Sequence, residues 1–151
     1  MTRTQVDGRS VMGTWGPGPF QSDYAADFVD EVDAASLEAQ VELVSSTLHE
    51  MARSTGRIPD GAEGVAAAAL VAGQCPGGES YATDEGAPKR PLPSFPTELR
   101  AVAAAAMTRA LDRDSGMGDG WVEAGEAAAW RAEVERIRTL LLQADGAKPH
   151  R

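Results

Sequence analysis

Asparagine is absent from this chain of 151 residues, cysteine occurs once, lysine only at Lys89 and Lys148, and aromatic side chains make up 5%. Each shortage closes off a class of protein. A single cysteine permits no internal disulfide framework and no cysteine-rich zinc site. Base is scarce as well: 14 Lys and Arg stand against 23 Asp and Glu, for a net charge of −9. That balance argues against general nucleic-acid binding, because nothing neutralises a run of phosphates. Long apolar runs are missing too. The longest, Val65 to Ala72, falls far short of the roughly 20 residues a membrane helix needs. The opening eleven residues, MTRTQVDGRSV, lack the apolar stretch of an export signal, so the expected compartment is the cytoplasm, with which a lone free thiol agrees.

What is abundant is alanine, 27 residues of it, in a chain that is 42% hydrophobic. Alanine loses no side-chain entropy in a helix and lets helices approach closely. The apolar spacing is helical as well. Asp23 is a good N-cap for a first helix with Tyr24 and Phe28 four apart. Asp33 or Ser36 caps a second, where Leu37, Val41, Val44, Leu48 and Met51 step by four and three. A third opens at Asp60, with Glu63 at capping-box spacing, and runs to about Cys75 before Pro76-Gly77-Gly78. A fourth spans about Thr97 to Arg113. A fifth follows Gly125, with Ala127, Trp130, Val134, Ile137 and Leu141 on one stripe. No period-two alternation is long enough for a strand.

The expectation is an all-α fold: a single compact bundle of about five helices around one core. Residues 1–11 form a flexible extension, 12–144 a single helical domain and 145–151 a frayed tail. An ordered Gly/Pro/Trp loop precedes the first helix, with Trp15 and Phe20 as apolar anchors. A long loop over 76–96 holds five of the nine prolines; loops of that length are usually functional.

Few residues promise catalysis. The glycines of 13–18 lack the Gly-Lys-Ser/Thr of a phosphate loop and no strand precedes them. His49-Glu50 is not followed by a second His at metalloprotease spacing. Cys75 has no basic neighbour in sequence to activate it. Carboxylates at helical spacing, such as Glu38 and Glu42, read as a solvated face. No catalytic residue, cofactor or metal is expected, and the balance is against an enzyme.

The charge layout says more. Between Ser10 and Ala52 there are eight acids and no Lys or Arg, while the rest of the chain is nearly balanced. Concentrating charge this way costs self-repulsion. The functional reading is a surface for a basic protein, met through Asp23, Asp27, Asp30 and Glu31, with Trp15, Phe20 and Tyr24 as aromatic anchors beside them.

The segment from Met12 to Phe28, with Met12, Gly13, Trp15, Gly16, Gly18, Pro19, Phe20, Asp23, Ala26 and Asp27 in register, resembles the opening of a bacterial family catalogued as domain of unknown function 4259. The stretch from Ala66 to Gly78 and the closing Trp121…Trp130-Arg131 fit as well, so the resemblance covers about residues 12–142. Gln21-Ser22 departs from the Asp and Asn usual there. The resemblance implies no activity. The expected function is a non-enzymatic protein-binding module with an acidic face, of immunity or antitoxin type in its sharpest form. The alternatives are a small enzyme with a carboxylate- or metal-based site, placed under the 76–96 loop, and a self-associating helical subunit. Neither a nucleic acid nor a membrane is an expected partner.

Overall fold

The computed structural model describes residues 16–58, 61–118 and 124–146. The proposed extension over 1–11, the anchor Trp15, the cap at Asp60 and Trp121 lie outside the described residues. Within them the regular structure is all helical: α1 (Asp23–Ala34), α2 (Leu37–Arg53), α3 (Gly61–Ala72), α4 (Glu79–Ala82), α5 (Leu99–Leu111) and α6 (Ala124–Gly146), with a 3-10 turn over Arg113–Ser115. The all-α expectation holds, and α4 is a single turn set inside the 76–96 loop.

The hub is α3. Val65 through Ala72 are all buried, so this helix is apolar all round, the pattern of a helix enclosed by others. It touches each of the other five α-helices. Small residues make that possible. A Cβ at Gly64 would lie 2.1 Å from the Met51 sulfur, so glycine there sets how closely α2 approaches. Around the hub, α1 rests on α2 and α3, while α5 meets α2, α3 and α6.

The outer helices bury one stripe each. On α6, Trp130, Val134, Ile137 and Leu141 are buried as their spacing predicts. On α1 the buried set is Ala25, Phe28, Val29 and Val32, so Tyr24 stays outside the stripe at 43% exposed. The α2 stripe is Gln40, Val44, Leu48 and Met51. Leu37, placed in the core by its spacing, is the first helical residue and is 56% exposed. Gln40 takes the inward position instead, and its Nε2 donates to the Val32 carbonyl at 2.8 Å.

Serines set the starts of α1 and α2. Ser22, not Asp23, caps α1 by accepting from the Ala25 N–H at 3.1 Å. Asp23 then falls in the first turn, where a negative charge meets the positive end of the helix dipole. Ser36 caps α2 in the same way through Ala39.

Candidate functional site

Two regions compete for a functional role, the acidic helices predicted from sequence and a cleft beside the middle of α6. The acidic helices come first. Asp27, Asp30 and Glu31 are exposed on α1 together with Tyr24, and Glu38, Glu42 and Glu50 are exposed along α2. Positions 24, 27 and 31 are separated by three and four residues, so they share one side of the helix. Asp27, Asp30 and Glu31 have no hydrogen-bond or ion-pair partner among the described residues. The structure therefore brings Tyr24, Asp27, Asp30 and Glu31 together on one solvent-facing surface, with Asp23 half-buried at its start.

Two members of the predicted set do not join them. Trp15 lies outside the described residues. Phe20 is 3% exposed and belongs to the hydrophobic core. Its ring is spent on the fold, so it cannot meet a partner.

Asp33 also leaves the acidic face. Its two carboxylate oxygens accept the backbone N–H groups of Lys89 at 2.7 Å and Arg90 at 2.9 Å. Those two bonds, with the nearby positive charges, hold its carboxyl below the ordinary value of 3.8. The Arg90 guanidinium then reaches the Ala35 carbonyl at 3.0 Å. A second side chain fastens the same loop further on. Gln74 donates to the Pro93 carbonyl and accepts from the Phe95 N–H, at 2.8 and 3.0 Å. The proline-rich segment is thus held down by an acid and an amide as well as by buried Tyr81 and Phe95.

The cleft has a volume of about 410 Å³. Gly18, Pro19 and Gln21 form one wall, Ser80, Tyr81 and Asp84 a second, and Glu133 and Arg136 of α6 the third. The first wall is shaped by a side chain. Gln21 Oε1 accepts from the Gly18 N–H at 2.8 Å, and a Cβ at Gly16 or Gly18 would come within 2.7 Å of that oxygen. Glycine at both places lets the amide close over its own loop. Gln21 and Ser22 therefore each hold a defined structural place.

At the floor, the Tyr81 hydroxyl donates to Glu133 Oε2. Arg136 lies over the Tyr81 ring with its guanidinium carbon 5.1 Å from the centroid, a cation–π contact. Its Nη2 also donates to the Gly77 carbonyl at 3.3 Å. Burial pushes the Tyr81 hydroxyl far above its ordinary value of 10.0, and the Glu133 hydrogen bond and charge add to the effect. Tyr81 stays a neutral donor at any physiological pH. Sequence reasoning missed this cluster. The spacing of Glu133 and Arg136 on one helix was visible, but Tyr81 meets Glu133 across 52 positions.

Other candidates are chemically quiet. Cys75 is buried, with its Sγ 3.5 Å from the Val71 carbonyl. Burial raises its thiol pKa against a smaller opposing pull from Arg100, which suits an inert cysteine. His49 Nδ1 lies 2.9 Å from the Ser45 carbonyl. Among the described residues no three or more His, Cys, Asp or Glu gather closely enough to hold a metal ion. No helix of the described residues is long and apolar enough to cross a membrane.

Comparison with known proteins gives one family. The family model described as "Domain of unknown function (DUF4259)" matches residues 13–133. That span contains the glycine loop, the acidic helices and Tyr81 with Glu133. No curated protein matches the chain, and no solved structure does.

Proposed function

The chain belongs to the DUF4259 family, whose description assigns no activity, and from that premise we propose that it is a protein-binding module whose α1–α2 exterior docks a basic protein. The observation that carries this reading is the set of exposed carboxylates at Asp27, Asp30 and Glu31. They lie beside exposed Tyr24 in a stretch of chain with no lysine or arginine. Packing uses none of the three. Their mutual repulsion lowers the stability of the free protein, and a cationic partner relieves it. Complementary charge also steers encounter, raising the association rate more than the final affinity. Tyr24 and Leu37 supply apolar contact area within the same segment. An immunity or antitoxin protein that neutralises a basic target is the sharpest form of this function.

The test uses the full chain as bait in a lysate of its own cells at low salt, beside the variant Asp27→Lys, Asp30→Lys, Glu31→Lys. The expected result is a basic protein released by salt, missing from the variant, and cross-linking to α1 or α2. A partner retained equally by both baits, or none that salt releases, overturns the reading.

A further inference from the structure

A second cavity, sharing no lining residue with the cleft beside α6, lies between the hub and the proline-rich segment. It has a volume of about 360 Å³, within the roughly 300–1,000 Å³ typical of small-ligand sites. Leu70 of α3, Ala82 of α4 and, from the segment, Pro88, Pro91 and Leu92 give it apolar walls. Gln74, Lys89 and Arg90 complete the lining. The Gln74 amide is spent at both ends, its nitrogen on the Pro93 carbonyl and its oxygen on the Phe95 N–H. Lys89 Nζ donates to the Glu85 carbonyl at 2.9 Å, which leaves two of its three N–H groups unused. Arg90 commits Nη2 to the Ala35 carbonyl and keeps donors on its other nitrogens. Among the described residues neither cation is in an ion pair, and no carboxylate lines the cavity. Its charge is therefore of one sign, and positive, in a chain of net charge −9.

The wall that carries the two cations is held in place beforehand. Asp33 accepts the backbone N–H groups of both Lys89 and Arg90, and Pro88 and Pro91 fix φ on either side of the pair. A guest then meets a largely pre-formed site and loses little to ordering it. We propose that this cavity binds a small apolar carboxylic acid in its ionised form, with the tail against Leu70, Ala82 and Leu92, Lys89 as the principal anchor of the carboxylate and Arg90 as the second cation. The proposal is independent of the docking face on α1 and α2.

The experiment is a titration of the isotope-labelled full chain with hexanoate at constant ionic strength, followed by amide chemical shifts. Hexylammonium reverses the charge on the same tail, and acetate keeps the charge without the tail. Saturable shifts are expected at Leu70, Gln74, Ala82, Lys89, Arg90 and Leu92, with a dissociation constant on the order of 1 mM for so small a probe. Acetate binds about tenfold more weakly or worse, for want of apolar area, and hexylammonium does not saturate these amides. Lys89→Gln weakens hexanoate binding about threefold, and Lys89→Gln with Arg90→Gln about tenfold. The bonds to Asp33 come from the backbone, so neither change removes them. Ala82→Leu, at an exposed position of α4, fills the cavity, leaves every charge in place and weakens binding about tenfold.

A further arm separates a free acid from the carboxyl end of another chain. N-acetyl-leucine should bind more weakly than hexanoate, because the Gln74 oxygen that could receive its amide N–H is already taken. Tighter binding of N-acetyl-leucine would make the guest a chain terminus and overturn the assignment to a free acid. No saturable shift with hexanoate, saturation of the same amides by hexylammonium, acetate as tight as hexanoate, or unchanged affinity in both the double charge variant and Ala82→Leu overturns the proposal outright.

Discussion

The α1–α2 pair and the α5–α6 pair use charge in opposite ways. The first carries eight acids and one base, Arg53; the second carries five arginines and four acids. On α5 and α6 four of the five arginines are fasteners. Arg100 reaches the Ala144 carbonyl, Arg109 the Gly56 carbonyl, Arg131 the Leu111 carbonyl and Arg136 the Gly77 carbonyl. Each ties one element to another through an orphan backbone oxygen, which a planar guanidinium with five donors does well. On α1, Asp33 works this way, on the Lys89 and Arg90 N–H groups. Asp27, Asp30 and Glu31 hold nothing down. One half of the molecule spends its charges on construction; the other half leaves them facing water. Charges that do no structural work are the ones a partner can use.

Substitutions can break that contrast or sharpen it. The largest effect belongs to the core that both halves share. Leu141→Ala on α6 removes a fully buried side chain and lowers unfolding free energy by about 2–5 kcal/mol. Leu37→Ala, on the exposed rim of α2, changes it by less than about 0.5 kcal/mol. Urea melts of the two variants check the pair, and equal losses would contradict the placement of Leu37.

Asp33 comes next. Asp33→Ala leaves two loop N–H groups without their acceptor and costs about 1–3 kcal/mol at neutral pH. Its folded carboxyl titrates below the ordinary 3.8. The stabilisation is therefore fully present above that value and is lost as pH falls through the lower folded value. The gap between wild type and variant should shrink on acidification below 3.8, read by urea melts at stepped pH. A constant gap would mean that the carboxylate charge is irrelevant to the loop.

Ser22→Ala follows, at about 1 kcal/mol for the lost cap. The charge of Glu38 in the first turn of α2 meets the helix dipole, so Glu38→Ala should cost less, at about 0.3–1 kcal/mol. Thermal melts of the two rank a side-chain cap against a first-turn charge. The smallest effect is a gain. Glu42→Lys turns the like-charged Glu38 and Glu42 pair, four apart on α2, into a favourable one worth about 0.5 kcal/mol at low salt. The gain should fade in 1 M salt, on the order of a 3 Å screening length. If it persists there, the acidic exterior is not under electrostatic strain.

How much of this was legible in the sequence depends on the range of the interaction. The α3 hub was legible because its apolar run is bounded by Pro59 and Pro76, and the α6 stripe because four large side chains recur at helical spacing. Leu37 was misplaced by the same logic. An apolar residue at the right spacing near a helix start still falls outside when a neighbour, here Gln40, takes the inward position. Asp23 lost the cap to Ser22 by one residue, a distinction that local composition does not make. The exposed acids of α1 were legible because charge needs no partner to stay outside. Asp33 and the Tyr81–Glu133 pair were not, since each acts on a residue more than fifty positions away, and no periodicity carries such information.

The burial of Cys75 turns the chain's only thiol into a clock. A maleimide cannot reach it while the turn after α3 stays seated, so the labelling rate reports how often that turn opens. With no other cysteine to react, mass spectrometry of the untagged, unmutated protein times that opening directly. Adding a docked partner should slow the clock if it braces that turn.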